Sequence, residues 1–107
     1  MNKDYEIHYL PLFQDDLMKT VYYISNILEN PDAALKLVDD VEKVILKRSQ
    51  NPLSFEPFRS KHKRKHSYYR IYIRNYVIFY VVIGNVMEVR RFLYNKRDIS
   101  ELSLIHI

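Results

Sequence analysis

The sequence predicts a single α+β domain with the order β-α-α-β-β-β, in which a helical hairpin packs on a small, mostly antiparallel sheet and a short C-terminal helix follows. Two patterns predict this fold. Apolar residues recur every three or four positions between residues 12 and 48, and they alternate or run continuously in short segments between residues 68 and 94. At 107 residues the chain has room for one modest core, so we expect one domain over residues 1–107.

The first predicted elements are a short strand and a helix. Residues Tyr5 to Leu10 alternate in character and stop at Pro11, which is typical of a strand end. Asp15 and Asp16 are expected in the first turn of the helix, near the positive end of its dipole. The apolar stripe of this helix has three- and four-residue spacing and consists of Phe13, Leu17, Val21, Ile24 and Leu28.

A second helix is expected directly after the first. Asn30 is a good N-cap, and Pro31 suits the first helical position because its missing N–H costs nothing there. Lys47 and Arg48 fall in the last turn, before Asn51-Pro52 ends the helix. The short link predicts an antiparallel helical hairpin. The inward face of the second helix is predicted to contain Ala34, Leu37, Val38, Val41, Ile45 and Arg48.

Three strands are predicted at about residues 68–74, 76–83 and 86–94, with tight connections at Asn75 and at Gly84-Asn85. Glycine allows a positive φ at the first turn position of a two-residue hairpin. The middle strand is apolar on both faces, which predicts that it is covered on both sides.

The last strand and the C-terminus are predicted from alternation and from a capping motif. Strict alternation places one set of side chains on one face, namely Met87, Val89 and Leu93, with Arg91 emerging at the edge. It places the other set on the opposite face, namely Glu88, Arg90, Phe92 and Tyr94. Residues 98–101 have the form of a capping box, which predicts a short helix with Ile99 and Leu102 facing inward.

Charge divides the chain into an acidic and a basic half. Residues 1–50 hold six Lys/Arg against nine Asp/Glu, whereas residues 51–107 hold eleven against four. Seven of these bases and no acid lie between Arg59 and Arg74. Such a basic face is the usual electrostatic footprint of a polyanion or an acidic protein as partner.

The sequence lacks the residues that several classes of functional site require. His62 and His66 have helical i, i+4 spacing but stand among bases, so we expect no metal site and no cofactor. There is no cysteine, no Gly-x-Ser-x-Gly motif and no glycine-rich phosphate loop. The absence of cysteine and of an apolar N-terminal or membrane-spanning segment leads us to expect a cytoplasmic protein without membrane contact.

Arginine, lysine and tyrosine remain as the candidate functional residues. Guanidinium groups can hold phosphates in bidentate fashion, and tyrosine rings can stack on bases. RNA cleavage without metal would also require a general base and a general acid. No histidine or carboxylate is placed for those roles by the pattern, so a binding face is better supported than a complete active site.

The order of these elements and motifs resembles the RelE/ParE superfamily, the toxins of bacterial type II toxin–antitoxin (plasmid stabilisation) systems. The segments that resemble it are residues 5–9, Asp15-Asp16-Leu17, residues 30–34, 69–71, 75–80, 89–93 and 96–99. The amino-acid sequences of residues 75–80 and 91–99 are more similar to the ParE branch of the superfamily. The resemblance implies a toxin that arrests growth, that is neutralised by a cognate antitoxin, and that inhibits DNA gyrase in the ParE branch.

A ribosome-dependent endoribonuclease (mRNA interferase) of the RelE type is the alternative. By position, the resemblance then assigns catalysis to Arg70, Arg97 and Tyr94. The family's Tyr-Arg-x-x-Tyr motif has Val77 in place of its arginine, and Ser103 stands at the C-terminal tyrosine position. The residues expected to bind the target or RNA in either case are Lys61, Lys63, Arg64, Lys65, Arg74, Arg90, Arg91 and Lys96.

Overall fold

A computed structural model of the chain describes residues 5–58 and 65–94. The predicted element order β-α-α-β-β-β is confirmed over this part. The elements are β1 (Glu6–Tyr9), α1 (Pro11–Tyr22), a π-helical turn (Tyr23–Ile27), α2 (Pro31–Arg48), β2 (Tyr69–Ile73), β3 (Tyr76–Ile83) and β4 (Val86–Tyr94).

The four strands form one mixed sheet in the order β1-β4-β3-β2. β4 is antiparallel to β3 and β3 is antiparallel to β2, while β1 runs parallel to β4 from Glu6↔Val86 to Tyr9↔Val89. The prediction of a mostly antiparallel sheet is confirmed. Because β1 pairs with β4, the start of the described chain lies beside its last strand, and β1 and β2 form the two edges.

The two β-hairpins both turn over two residues. Gly84 has a φ of 61°, so a positive φ at the first turn position is confirmed for the β3–β4 turn. At the β2–β3 turn the same role falls to Arg74, which has a φ of 53°. β2 therefore ends one residue before the predicted boundary. At its other end Tyr68 forms only an isolated bridge, with Phe58.

The helices follow the predicted stripes with differences at both ends of α1. The helix begins at Pro11, so Asp15 and Asp16 lie beyond its first turn and the expected role in the dipole is wrong. The stripe then ends in the π-helical turn, in which Leu28 N–H donates to Tyr23 O at 2.9 Å. In α2 the N-cap is confirmed, since the Asn30 side chain accepts a hydrogen bond from Ala33 N–H at 3.2 Å.

Apolar side chains form a core on each face of the sheet. The larger core lies between the sheet and the helices and includes Phe13, Leu37, Val41, Ile45, Ile78, Tyr80, Met87, Val89 and Phe92. The smaller core lies on the other face and consists of Tyr68, Val77, Phe79, Val81 and Leu93, with Phe58 packed against it. The middle strand β3 thus supplies both cores, as its continuous apolar sequence predicts.

A β-bulge in β4 changes which residues face the helices. Phe79 pairs with Arg91 and Tyr80 pairs with Val89, so Arg90 is an extra residue in β4. Beyond this point the alternation is shifted by one residue. Phe92 joins the larger core and Leu93 the smaller one. The predicted faces for these two residues are therefore wrong, because a pure two-residue period does not allow for the inserted residue.

The predicted C-terminal helix lies outside the described residues, together with its capping box and with Ile99 and Leu102. None of the helices in residues 5–58 and 65–94 is both long and apolar enough to cross a membrane.

Candidate functional site

The sheet face away from the helices, called here the distal face, is where β2 and β4 place two of the predicted arginines. Side chains alternate along β2, so that Tyr69, Ile71 and Ile73 enter the larger core. Arg70 and Tyr72 consequently point to the distal face. Arg90, at the bulge of β4, reaches the same face.

Arg70 lies between aromatic rings. Its guanidinium carbon is 5.1 Å from the ring centre of Phe58 and 5.8 Å from that of Tyr72. Cation–π contacts of this kind hold the guanidinium in place without neutralising its charge. Within residues 5–58 and 65–94, Arg70 makes no ion pair with a carboxylate. Half-buried Arg70 and exposed Tyr72 therefore present a positive charge beside a ring.

Arg90 is paired inside the fold. Its Nη2 lies 2.7 Å from Glu88 Oε1, and its Nη1 donates to the hydroxyl of Tyr68 at 2.6 Å. Burial lowers the pKa of Arg90, but the hydrogen bonds with Glu88 and Tyr68 outweigh this effect and raise the pKa above its ordinary value. The charge stays on Arg90, but Glu88 compensates it locally.

Arg91 leaves the sheet edge and contacts α1. Its Nε and Nη2 donate to the two carboxylate oxygens of Asp16 at 2.7 and 3.0 Å. Asp16 also accepts the backbone N–H of Phe92 at 3.0 Å. β1 ends opposite Val89, so the Asp16 carboxylate takes over as partner for the β4 edge where β1 stops. Asp16 therefore joins α1 to β4, a role that its position in the sequence did not indicate.

Arg74 is also paired with a helix carboxylate. In the β2–β3 turn its Nη2 contacts Asp40 Oδ2 of α2, and Lys36 Nζ lies 3.5 Å from the same oxygen. The arginines of the sheet that the sequence singled out, Arg70 as catalytic in a ribonuclease and the others as target-binding, thus divide into two groups. Arg74, Arg90 and Arg91 each have a carboxylate partner, whereas Arg70 contacts aromatic rings.

Tyr94 lies on the other side of the sheet from Arg70. Its ring meets the edge of Tyr76 at 6.0 Å between centres, and Tyr76 stacks on Phe92 in the larger core at 4.8 Å. Burial, and then the proximity of Tyr94, raises the pKa of Tyr76 above 10.0. The bulge explains this placement, since strict alternation had put Tyr94 on the face of Arg90. The structure therefore does not bring Tyr94 together with Arg70.

The remaining predicted residues are mostly outside the described chain. Lys65 is exposed just before β2. The candidates that lie outside residues 5–58 and 65–94 are Lys61, Lys63, Arg64, Lys96 and Arg97. They remain predictions from the sequence.

Arg48 is a structural residue that the sequence indicated only as part of a helix face. It lies 3.5 Å from the ring centre of Phe55, and its Nη1 donates to Arg70 O and to Tyr80 Oη at 2.9 and 3.0 Å. Tyr80 in turn donates to Pro52 O at 2.7 Å. Arg48 thereby satisfies an outward-facing carbonyl of the edge strand β2 and ties α2 to the strand that carries Arg70.

The arrangement suits binding better than acid–base chemistry. A single uncompensated guanidinium and an exposed ring can hold an acidic side chain or a phosphate. Among the described histidines, His8 lies on the edge strand β1 opposite Glu88 and pairs with Glu6 at 3.2 Å. No group of three potential metal ligands occurs in the described part of the chain.

Comparisons with known proteins concern the family and the fold of this chain. The sequence model of the ParE toxin of the parDE type II toxin–antitoxin system matches residues 7–99. No curated protein matches the sequence. A solved structure from the chromosomal ParDE toxin–antitoxin system of P. aeruginosa is similar in fold, with a TM-score of 0.63 and 17% identity. The similarity covers 86% of this chain and 97% of that one. Because the family match extends over most of the sequence, the chain belongs to the ParE toxin family of type II toxin–antitoxin systems.

Proposed function

We propose that this chain is a growth-arresting toxin that acts in the cytoplasm by binding and inhibiting DNA gyrase, and that a cognate antitoxin neutralises it. The family match over residues 7–99 carries the proposal. In this function the toxin acts by contact with its target and needs no chemistry of its own.

The distribution of charge on the sheet supports binding over catalysis. Of the four described arginines of the β2–β4 region, three are compensated by carboxylates, and the fourth, Arg70, is left to attract an acidic surface. Inhibition by contact requires an anchor of this kind. Metal-free RNA cleavage would require several cations and an acid–base pair around one phosphate.

The target contact that we propose includes Arg70 and Tyr72 on the distal face, together with the basic segment before β2. Of the basic residues in that segment, Lys65 lies in the part of the chain that the structure describes. The other residues assigned to this contact from the sequence are Lys61, Lys63, Arg64 and Lys96. Arg90 and Arg91 support the contact through their ion pairs, whereas Arg74, paired with Asp40 of α2, stays outside it.

A ribosome-dependent endoribonuclease is the second candidate, and one observation favours it. Arg70 beside the exposed ring of Tyr72 is also a suitable arrangement for a phosphate next to a stacked base. In this function Arg70 and Arg97 would stabilise phosphate charge. Tyr94 would have to act from the opposite side of the sheet.

The two functions are separated by inducing the toxin in cells. We expect loss of gyrase supercoiling activity and a DNA-damage response, with mRNA intact and with rescue by the cognate antitoxin. Cleavage of mRNA at translated codons with normal supercoiling would contradict the gyrase function and support the alternative.

A matched pair of variants tests the proposed contact. Arg70→Ala removes the uncompensated charge, while Arg74→Ala removes one that Asp40 already balances. We expect Arg70→Ala to weaken inhibition of purified gyrase by about tenfold or more, as removal of a well-placed interface arginine does, and Arg74→Ala to change it far less. Equal inhibition by both variants would place the contact elsewhere.

A further inference from the structure

A cavity opens on the helix side of β2, close to the end of α2. Its volume is about 440 Å³, within the range of roughly 300–1,000 Å³ that is typical of ligand pockets. Val44 of α2 and Ile71 of β2 give it an apolar lining that is continuous with the larger core. Phe55, in the loop after α2, adds an aromatic ring that is 47% exposed. The cavity therefore offers apolar surface to a side chain of a partner.

Two cations line the same cavity. Lys47 and Arg48 belong to its lining, and no carboxylate is among the described residues that line it. Neither cation takes part in an ion pair within residues 5–58 and 65–94. The side-chain amides of Gln50 and Asn51 add further polar groups. A cavity with this lining attracts an anion and repels a cation.

Arg48 is ordered before any ligand arrives. Its Nη1 donates to Arg70 O and Tyr80 Oη at 2.9 and 3.0 Å, and its guanidinium carbon lies 3.5 Å from the ring centre of Phe55. Because these contacts already fix the side chain, a ligand that binds it meets a smaller entropic cost than it would at a free arginine.

The other edge of the Arg48 guanidinium is open. Nε and Nη2 make no hydrogen bond with the described part of the chain. These two nitrogens form the edge that binds a carboxylate in bidentate fashion. Arg91 uses the same two nitrogens to hold the Asp16 carboxylate at 2.7 and 3.0 Å. Arg48 therefore retains the donors that a carboxylate ligand requires.

The edge of β2 beside the cavity offers little to a partner that would extend the sheet. Two successive outward-facing carbonyls are already bonded, that of Tyr68 by Phe58 N–H and that of Arg70 by Arg48. Since backbone groups alternate along a strand, the next outward-facing carbonyl belongs to Tyr72. Addition of a strand requires a longer run of free backbone groups. We therefore expect a partner at this place to insert a side chain.

We propose that this cavity binds an acidic segment of a partner protein. A carboxylate of the segment pairs with Lys47 and Arg48, and an adjacent apolar side chain covers Val44 and Ile71. Charge complementarity identifies the occupant, because two unpaired cations beside an apolar lining match an acid next to an apolar residue. The Arg70 side chain lies on the distal face, so this site is separate from the proposed target contact. The proposal does not depend on the target of the toxin.

A tryptophan peptide tests the proposal, because the chain itself contains no tryptophan. The probe is a short capped peptide in which one tryptophan stands between an aspartate and a glutamate, flanked by glycine and serine. Its fluorescence should change as the full chain is added at low salt, with a dissociation constant on the order of 100 µM. A second peptide, with asparagine and glutamine in place of the two acids, should bind about tenfold more weakly or less well still.

A matched pair of lysine variants shows whether the cavity holds the peptide. Lys47 and Lys19 are both exposed in the last turn of a helix, but only Lys47 lines the cavity. Lys47→Glu should weaken binding by about tenfold or more. Lys19→Glu makes the same change in net charge and should weaken it by at most about threefold, since it acts only through the screened field.

A third variant tests the apolar part of the site. Val44→Phe fills the cavity without changing any charge and should also weaken binding of the acidic peptide. Thermal melting of each variant checks that it is folded. In NMR titrations of the full chain, the backbone amide signals that move most should be those of Val44, Lys47, Phe55 and Ile71.

Three results would overturn the proposal. The folded chain might fail to bind the acidic peptide, or Lys47→Glu and Lys19→Glu might weaken binding alike, which would show attraction by net charge alone. Signal changes centred on Arg70 and Tyr72 would place the peptide on the distal face instead. None of these results alters the gyrase assay, for which Arg70→Ala remains the test.

Discussion

The carboxylate of Asp16 is expected to be one of the most important polar groups for the stability of this chain. It accepts two hydrogen bonds from the Arg91 guanidinium and one from the backbone of Phe92. The Asp16 and Arg91 side chains are only 10% and 20% exposed, so water compensates little of what is lost. Asp16→Ala removes the acceptor of the Phe92 backbone N–H and a carboxylate that faces the largely buried Arg91 guanidinium.

The magnitude follows from these contacts. Removing one partner of a buried pair costs about 3–5 kcal/mol, and partial exposure reduces this, so we expect Asp16→Ala to cost about 2–4 kcal/mol. Asp16→Asn keeps an oxygen for Phe92 N–H but loses the charge facing Arg91. It should therefore cost less than the alanine variant. For a domain of this size, Asp16→Ala should lower Tm by about 10 °C or more.

Urea denaturation measures these free energies, with Asp39→Asn as the control for an exposed helix carboxylate. The control should change the free energy of unfolding by no more than about 0.5 kcal/mol. A double-mutant cycle with Arg91→Met isolates the ion pair and should give a coupling energy of about 1–3 kcal/mol. A cost for Asp16→Ala as small as that of the control, or a coupling energy near zero, would refute the reasoning.

Three further predictions concern the turn at Arg74 and the buried hydroxyl of Tyr80. Arg74→Gly and Arg74→Ala both lose the Asp40 contact, but glycine tolerates the φ of 53°, so the glycine variant should be more stable in urea by about 1 kcal/mol. Tyr80→Phe removes the hydroxyl that bonds Pro52 O and Arg48, and its thermal unfolding should reveal a loss of about 1–3 kcal/mol. Burial raises the pKa of Tyr80 above 10.0, although Arg48 lowers it, so the folded state holds the phenol proton more tightly than the unfolded state. The resulting stability is complete below pH ~10 and is lost as pH rises toward the folded pKa, by at most about 1.4 kcal/mol per pH unit for this group. Denaturation curves at increasing pH should show this fall, and Tyr80→Phe should reduce it.

The sequence predicts the order of elements well because each element has a local signal. Asn30 and Pro31 specify the start of α2 through capping chemistry that does not depend on the rest of the fold. Gly84 marks the β3–β4 turn for a similar reason, since the backbone there needs a positive φ. At the other turn Arg74 adopts a positive φ without being glycine, and no local signal indicates it.

The side-chain partners in the candidate site could not be predicted, because they depend on contacts between distant elements. Asp16 and Arg91 are 75 residues apart in sequence, and their pairing requires β1 to stop where α1 begins. The bulge at Arg90 is likewise a property of the β3–β4 pair and not of β4 alone. Arg70 was identified from the sequence as a basic residue of the sheet. Its aromatic neighbours were not, because Phe58 joins β2 across a segment without a regular pattern.

The bulge also determines which change in length β4 can tolerate. Because Arg90 is the extra residue, deleting it would leave a regular strand in which Arg91 still pairs with Phe79 and Val89 still pairs with Tyr80. Phe92 would keep its contact with Phe13, and Leu93 would stay in the smaller core. Deleting a residue from the regular part of β4 would instead rotate the side chains beyond it to the opposite face. Natural relatives of this chain should therefore either keep the bulge residue or lack that single residue, with the same two core faces in both cases.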